Sequence, residues 1–216
     1  MHKSITNINL IKDDLKAKID DFDNIKIIAV SKTFPIETIM PLIEYGHLEY
    51  GENKVQEAIN KWTEIKIANP NIKLHLIGKL QTNKVKFALK IFDYVHSVDN
   101  KKLAKKIADE ELKQNKKIKI FLQINIGNEE QKSGINKDYL QDLYFYCKNL
   151  NLDVVGLMCI PPAGQRSEIF FKEMDLLAKK FNLLELSMGM SADYIEAAKN
   201  SATYLRIGSN IFGKRG

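Results

Sequence analysis

The chain alternates between two hydrophobic rhythms. Ile5, Ile8, Ile11, Leu15 and Ile19 recur at steps of three or four, which predicts one amphipathic helix over residues 4–19. Ile27-Ile28-Ala29-Val30 then forms a continuous apolar run rich in β-branched residues, the pattern of a short strand buried on both faces in a parallel sheet covered by helices. The run stops at Ser31-Lys32, and Pro35 suits the first turn of a following helix. Both rhythms then return. Ile36, Ile39, Met40 and Ile43 are spaced for a helix closed by Gly46, residues 47–50 lead as a strand into Gly51-Glu52-Asn53, and Val55, Ala58, Trp62 and Ile65 mark a helix over 54–68 that Pro70 stops.

Six further strands are expected, at residues 73–77, 91–96, 118–125, 154–158, 183–186 and 203–206. Helical segments fall between them: one opening after 78–84, then 101–114, 137–149, 167–181 and 192–200. Residues 126–134 are too polar and glycine-bearing for core and read as a loop over a site. Strict alternation of strand and helix implies a parallel sheet with right-handed crossovers, and eight repeats close a (β/α)8 barrel, here preceded by an N-terminal helix. An open doubly wound sheet is the alternative, but its G-x-G-x-x-G signature is missing after the first strand. Residues 1–216 read as a single domain without linker or low-complexity segment.

Composition narrows the partners. Of 216 residues, 44% are hydrophobic and 28% charged, as in ordinary globular proteins. No apolar run has the length of a membrane span and the polar N-terminus lacks a secretory core, so a cytoplasmic location without membrane contact is expected. Cys147 and Cys159 have no metal-ligand spacing and read as reduced structural thiols, with no metal. The formal charge of +6 comes from lysines that alternate with acids, as in residues 101–117, so solvated helix faces and a site for small phosphorylated ligands explain it, and nucleic acid is not an expected partner.

In a barrel the strand ends Lys32, Asn53, Gly78, Ser97, Asn125, Met158, Ser187 and Gly208 converge on one mouth. Lys32 alone reads most simply as a lysine leaving the core for water; its other reading is a desolvated, nucleophilic amine. Phosphate groups in barrels bind the loops after strands seven and eight, here Ser187-Met188-Gly189-Met190-Ser191 and Ile207-Gly208-Ser209-Asn210, both offering hydroxyls and a glycine. A lysine facing such a pocket points to pyridoxal 5'-phosphate, which needs an amine for its aldehyde, a cradle for its phosphate and a partner for its ring nitrogen. Arg206, just before Gly208, is placed to meet that nitrogen; the plainer reading is a salt bridge in the barrel wall. A guanidinium cannot accept the ring proton, so such a partner weakens the cofactor as an electron sink.

Seven segments carry a resemblance: Ala29-Val30-Ser31-Lys32, Gly51-Glu52-Asn53-Lys54-Val55-Gln56-Glu57, residues 75–84 from His75-Leu76-Ile77-Gly78 to Thr82-Asn83-Lys84, Glu130-Gln131-Lys132-Ser133-Gly134, Gly156-Leu157-Met158, Leu186-Ser187-Met188-Gly189-Met190-Ser191-Ala192-Asp193 and Arg206-Ile207-Gly208-Ser209-Asn210-Ile211-Phe212-Gly213. In order and over almost the whole chain, they resemble the pyridoxal phosphate homeostasis protein family, whose fold is similar to the barrel domain of alanine racemase. The resemblance implies that Lys32 forms a Schiff base with pyridoxal 5'-phosphate, that Arg206 approaches the ring nitrogen, that Ser191, Gly208 and Ser209 hold the phosphate, and that Asn53 and Met188 line the pocket. Lys132 matches a loop lysine that the family implicates in handling a second cofactor molecule or releasing it. Asn210 departs from the smaller residue common in the family.

The role so implied is to buffer the cofactor or deliver it to pyridoxal phosphate-dependent apo-enzymes in vitamin B6 homeostasis, as a monomer without strong catalytic activity. The alternative is a small amino-acid racemase using Lys32 as base. Alanine racemase takes its second catalytic group, a tyrosine, from a further domain across a dimer, and no such domain is expected after the eighth strand here.

Overall fold

The computed structural model describes residues 2–213. Eight parallel strands form a closed barrel in chain order: β1 (Lys26–Val30), β2 (Glu49–Glu52), β3 (Lys73–Leu76), β4 (Tyr94–Val98), β5 (Lys119–Ile124), β6 (Asp153–Cys159), β7 (Glu185–Ser187) and β8 (Tyr204–Ile207). Closure is made by β1 against β8, with Lys26 opposite Tyr204 and Ile28 opposite Arg206. This pairing brings the opening lysine segment beside the C-terminal loops, although some 175 residues separate them in sequence.

Nine helices surround the barrel: α1 (Lys3–Lys18), α2 (Ile36–Glu44), α3 (Val55–Ala68), α4 (Val85–Ile91), α5 (Lys101–Gln114), α6 (Leu140–Asn149), α7 (Ser167–Lys180), α8 (Tyr194–Lys199) and α9 (Ser209–Phe212), counted among the described residues. Helix starts follow local chemistry. The Asn100 side chain accepts from the Leu103 amide at 2.9 Å, which caps α5, and Asn115 ends that helix in the left-handed conformation.

Side-chain alternation divides the core in two. Residues pointing outward, such as Ile27, Ala29, Leu74 and Leu205, join the inner faces of the helices in the larger cluster. Ile28, Val30, Tyr94, Phe121, Met158 and Tyr204 point inward and fill the barrel. Gly51 also faces inward, and a Cβ there would lie 2.8 Å from the Ile28 side chain.

The expected barrel and N-terminal helix are both present. Several boundaries shift by one or two residues, and the fourth strand shifts most. The apolar pair Ile91-Phe92 closes α4 rather than opening a strand, and β4 runs on through Ser97 to Val98. The single turn α9 has too few residues to show a helical period, and only the position of Gly208 hinted at it. No helix among the described residues is long and apolar enough to cross a membrane.

Candidate functional site

The carboxyl ends of β1, β2, β3 and β6 and the loops after β7 and β8 enclose a cavity of ≈ 600 Å³. Lys32 lies two residues beyond β1 and is half-buried at its edge. The turn that carries it is held firmly from behind. Thr33 sits in the left-handed region at φ 68°, costly for a β-branched residue, and its amide donates to Glu57 Oε1 at 2.6 Å. Beneath the turn Glu52 is fully buried; its Oε1 accepts from Ser31 Oγ at 2.8 Å, Trp62 Nε1 at 2.9 Å and Lys61 Nζ at 3.0 Å. Lys61 also donates to the Ser31 carbonyl at 3.0 Å. The lysine-bearing turn is thereby tied to α3 by charge-assisted bonds on both sides.

The loops after β7 and β8 meet at the same cavity. Ser209 Oγ and Ser191 Oγ are 3.1 Å apart, the Asn210 amide points at Ser191 Oγ from 3.4 Å, and Asn210 Nδ2 donates to the Ser191 carbonyl at 3.0 Å. The loop from β7 bends at Gly189, φ 86°, where a Cβ would lie 2.5 Å from Ala197 Cβ. Gly208 packs against Val30 so closely that a Cβ would lie 3.3 Å from its backbone oxygen and its Cβ. Asn210, the departure noted in the sequence, thus braces the loop pair from outside.

Arg206 forms part of the cavity wall from inside the barrel and is 5% exposed. Nη1 donates to Ser187 Oγ at 2.7 Å and Nη2 to the Cys159 carbonyl at 2.8 Å. Among the described residues no carboxylate lies within ion-pair distance of it, so it is not the wall salt bridge of the plainer reading.

Lys32, Asn53, Ser191, Arg206, Gly208 and Ser209 all line this one cavity. Met188 does not. Alternation along β7 sends Ser187 inward and Met188 outward, where it is fully buried in the layer between barrel and helices. Met190, two residues on, lines the cavity in its place, as do Ile77 and Ile160, which give it apolar walls. The same parity removes Ser97 from the mouth: His96 points into the barrel and Ser97 is buried behind it. Met190 shares parity with Met188, so alternation alone does not find it; the bend at Gly189, φ 86°, breaks the count between them. Lys132 lines a smaller adjoining cavity of ≈ 320 Å³ that shares Asn53, Ile77 and Ile160 with the first. Its amine donates to the Pro161 carbonyl at 3.1 Å and pairs with Glu129.

One cavity therefore presents an amine, two hydroxyls with a backbone amide beside them, and a buried guanidinium. These suit a ligand with a carbonyl, an anionic group and an aromatic acceptor atom. No group of His, Cys, Asp and Glu among the described residues could hold a metal ion.

The family model described as alanine racemase, N-terminal domain, matches residues 7–216. The pyridoxal phosphate homeostasis protein of Aquifex aeolicus is 38% identical over 200 residues, covering 88% of this chain and 87% of its own length. The structure of PipY of Synechococcus elongatus with pyridoxal phosphate bound is 32% identical with a TM-score of 0.84, over 93% of this chain and 97% of that one. Alanine racemase of Clostridium difficile shares the fold at a TM-score of 0.76 and 16% identity; the match spans 99% of this chain and 57% of the racemase. A match along nearly the whole length of both partners shows that the chain belongs to the pyridoxal phosphate homeostasis protein family, within the alanine racemase N-terminal domain fold.

Proposed function

We propose that this protein binds pyridoxal 5'-phosphate covalently through Lys32 and serves to buffer or deliver it, with no strong catalysis of its own. The observation that carries the reading is the convergence on one cavity of Lys32, the Ser191–Ser209 hydroxyl pair and Arg206. The bound form of PipY supports the ligand.

Each residue has a task that its surroundings fit. The Lys32 amine takes the cofactor's aldehyde carbon, releasing water. Ser191 and Ser209 hydroxyls, with backbone amides from Gly208 onward, receive the phosphate, where a side chain on Gly208 would crowd Val30. Arg206, fixed by Ser187 and Cys159, presents a donor to the ring nitrogen. Pyridoxal phosphate supplies electron withdrawal to an attached amine, and a donor-only partner at the ring nitrogen limits it. A racemase also needs a second acid or base opposite the lysine. The tyrosines inside the barrel, Tyr94 and Tyr204, are buried at its far end, bonded to each other, and Tyr204 also accepts from Lys26. Recipients of the cofactor would be pyridoxal phosphate-dependent apo-enzymes.

The test is the absorbance spectrum of the protein incubated with pyridoxal phosphate, followed by borohydride reduction and peptide mass mapping. Wild type is expected to show an imine band and a reduced adduct on the peptide containing Lys32, absent from Lys32→Ala. An adduct that persists on another lysine would overturn the assignment. Turnover of single-enantiomer amino acids at ordinary enzyme rates would favour the racemase.

A further inference from the structure

Behind Arg206 a row of polar groups runs down the barrel interior, and neither the lysine nor the phosphate contacts use it. Arg206 Nη1 lies 2.7 Å from Ser187 Oγ, Ser187 Oγ 2.8 Å from His96 Nδ1, His96 Nε2 2.9 Å from His75 Nδ1, and His75 Nε2 2.6 Å from Glu49 Oε2. Ser187, His75 and His96 are fully buried, whereas the Glu49 side chain is 20% exposed at the amino-terminal end of the strands. The row thus joins a cation at the site to an anion at the opposite end of the barrel.

Its two ends set every proton between them. A guanidinium only donates, so Ser187 Oγ accepts from Arg206 and its own hydrogen is directed at His96 Nδ1. A carboxylate only accepts, so His75 carries its hydrogen on Nε2 and, as a neutral ring, leaves Nδ1 bare. The 2.9 Å contact between the rings then needs the hydrogen on His96 Nε2, which leaves His96 Nδ1 bare to receive Ser187. The assignments from the two ends agree. The reverse order would require a charged His75 and would leave the buried Ser187 hydrogen without an acceptor. Burial lowers the pKa of both rings, His96 well below the ordinary value, which favours the neutral pair. The end contacts, which involve the charged groups, are the shortest of the four.

We propose that Ser187, His96, His75 and Glu49 are positioning residues that fix the Arg206 guanidinium in the cavity wall through one ordered chain of hydrogen bonds ending on a carboxylate. Asp193, in the loop after β7, is the carboxylate whose field reaches Arg206 directly. A buried cation with no carboxylate beside it is costly, and a polarised chain ending in a carboxylate offsets that cost. The task assigned to Arg206 rests on the cofactor reading above; the ordering of the chain does not.

Long-range proton–nitrogen correlation spectra of the 15N-labelled full chain at pH 7.5 test the ordering without any substitution. Both rings are expected to be neutral with hydrogen on Nε2; a charged ring, or hydrogen on Nδ1 of either, would overturn the chain. Glu49→Gln tests the coupling. His96, which does not touch Glu49, is expected to shift its ring-nitrogen resonances, and the dissociation constant for added pyridoxal phosphate is expected to rise about fivefold as the arginine loosens. Unchanged His96 signals or unchanged affinity would overturn the positioning role. Failure of wild type to bind the cofactor would sink the cofactor reading alone, since the tautomers are read without ligand.

Discussion

Ser191 and Ser209 belong to separate loops, yet their hydroxyls stand 3.1 Å apart at the cavity's edge. On the proposed reading, two hydroxyls at that spacing donate to one phosphate and hold each other in place. Ser191→Ala and Ser209→Ala are each expected to weaken retention of pyridoxal phosphate about tenfold, the effect of losing a hydrogen bond to a charged group. The double variant should lose less than the product, because each single change already loosens the partner hydroxyl. Equilibrium dialysis of the four proteins measures the coupling, and strictly multiplicative losses would show that the two serines act apart.

The tie between Glu52 and Lys61 anchors the turn that bears Lys32. Glu52→Ala leaves Lys61, whose side chain is 9% exposed, with Glu57 as its one remaining carboxylate, and removes the carboxylate acceptor of Trp62 and Ser31. A loss of about 3 kcal/mol is expected, as for other broken buried ion pairs. Glu52→Gln keeps an acceptor oxygen and should cost about half as much. Trp62 is the chain's one tryptophan, so its emission during urea unfolding reads both values at the relevant place. A Glu52→Ala variant as stable as wild type would show that the tie carries no stability.

Much of this was legible in the sequence, for physical reasons that differ by residue. Runs such as Ile27 to Val30 announce strands because a barrel strand is buried on both faces, and eight of them with helices between leave few topologies. Lys32 and Arg206 became meaningful only together, once closure of β1 on β8 made them neighbours at one mouth. Met188, placed at the pocket by the resemblance, instead continues the alternation of β7 and points outward beside the inward Ser187. The row of Glu49, His75 and His96 could not be found by spacing at all. Its members lie on three strands, and its link to Ser187 spans 91 positions, so their contact exists only through the barrel's register.

The buried rings of His75 and His96 also make acid the weak side of this fold. Their folded pKa values are lowered, chiefly by burial. Below the ordinary imidazole value near 6.5 the unfolded chain takes up protons that the folded chain refuses, so this stability is full above about pH 6.5 and is lost as pH falls towards the folded values. Each ring contributes a slope approaching about 1.4 kcal/mol per pH unit. Urea unfolding should therefore show lower stability at pH 5.5 than at pH 7.5, by up to about 3 kcal/mol for two rings that stay neutral. Equal stabilities would mean that the rings are charged when folded.

Burial governs the two cysteines in the same way. The thiols of Cys147 and Cys159 are both pushed up to about 12 by desolvation, far from the thiolate form that reacts. Neither should titrate with a disulfide reagent at pH 8 in the native protein, and both should do so in urea. Rapid native reaction of either would reveal access to solvent that the packed layers do not provide.

Gly189 shapes the loop that carries Ser191, and two separate demands fall on it. Its φ of 86° lies where side chains are strained, and a Cβ there would meet Ala197 Cβ at 2.5 Å and Leu205 Cδ2 at 3.0 Å. Its carbonyl also accepts from the Arg206 amide at 3.0 Å, which links the loop to β8. Gly164 supplies a control, since its φ of 75° is similar but nothing lies within 4 Å of its Cβ position. Gly164→Ala is expected to cost about 1 kcal/mol, the conformational part alone. Gly189→Ala adds overpacking and should cost about 2–4 kcal/mol. Because any relief must come from moving the loop, Gly189→Ala should also weaken phosphate retention while Gly164→Ala leaves it unchanged. Urea unfolding with equilibrium dialysis separates the two effects, and equal costs at both positions would mean that the loop yields freely and does not hold Ser191 in place.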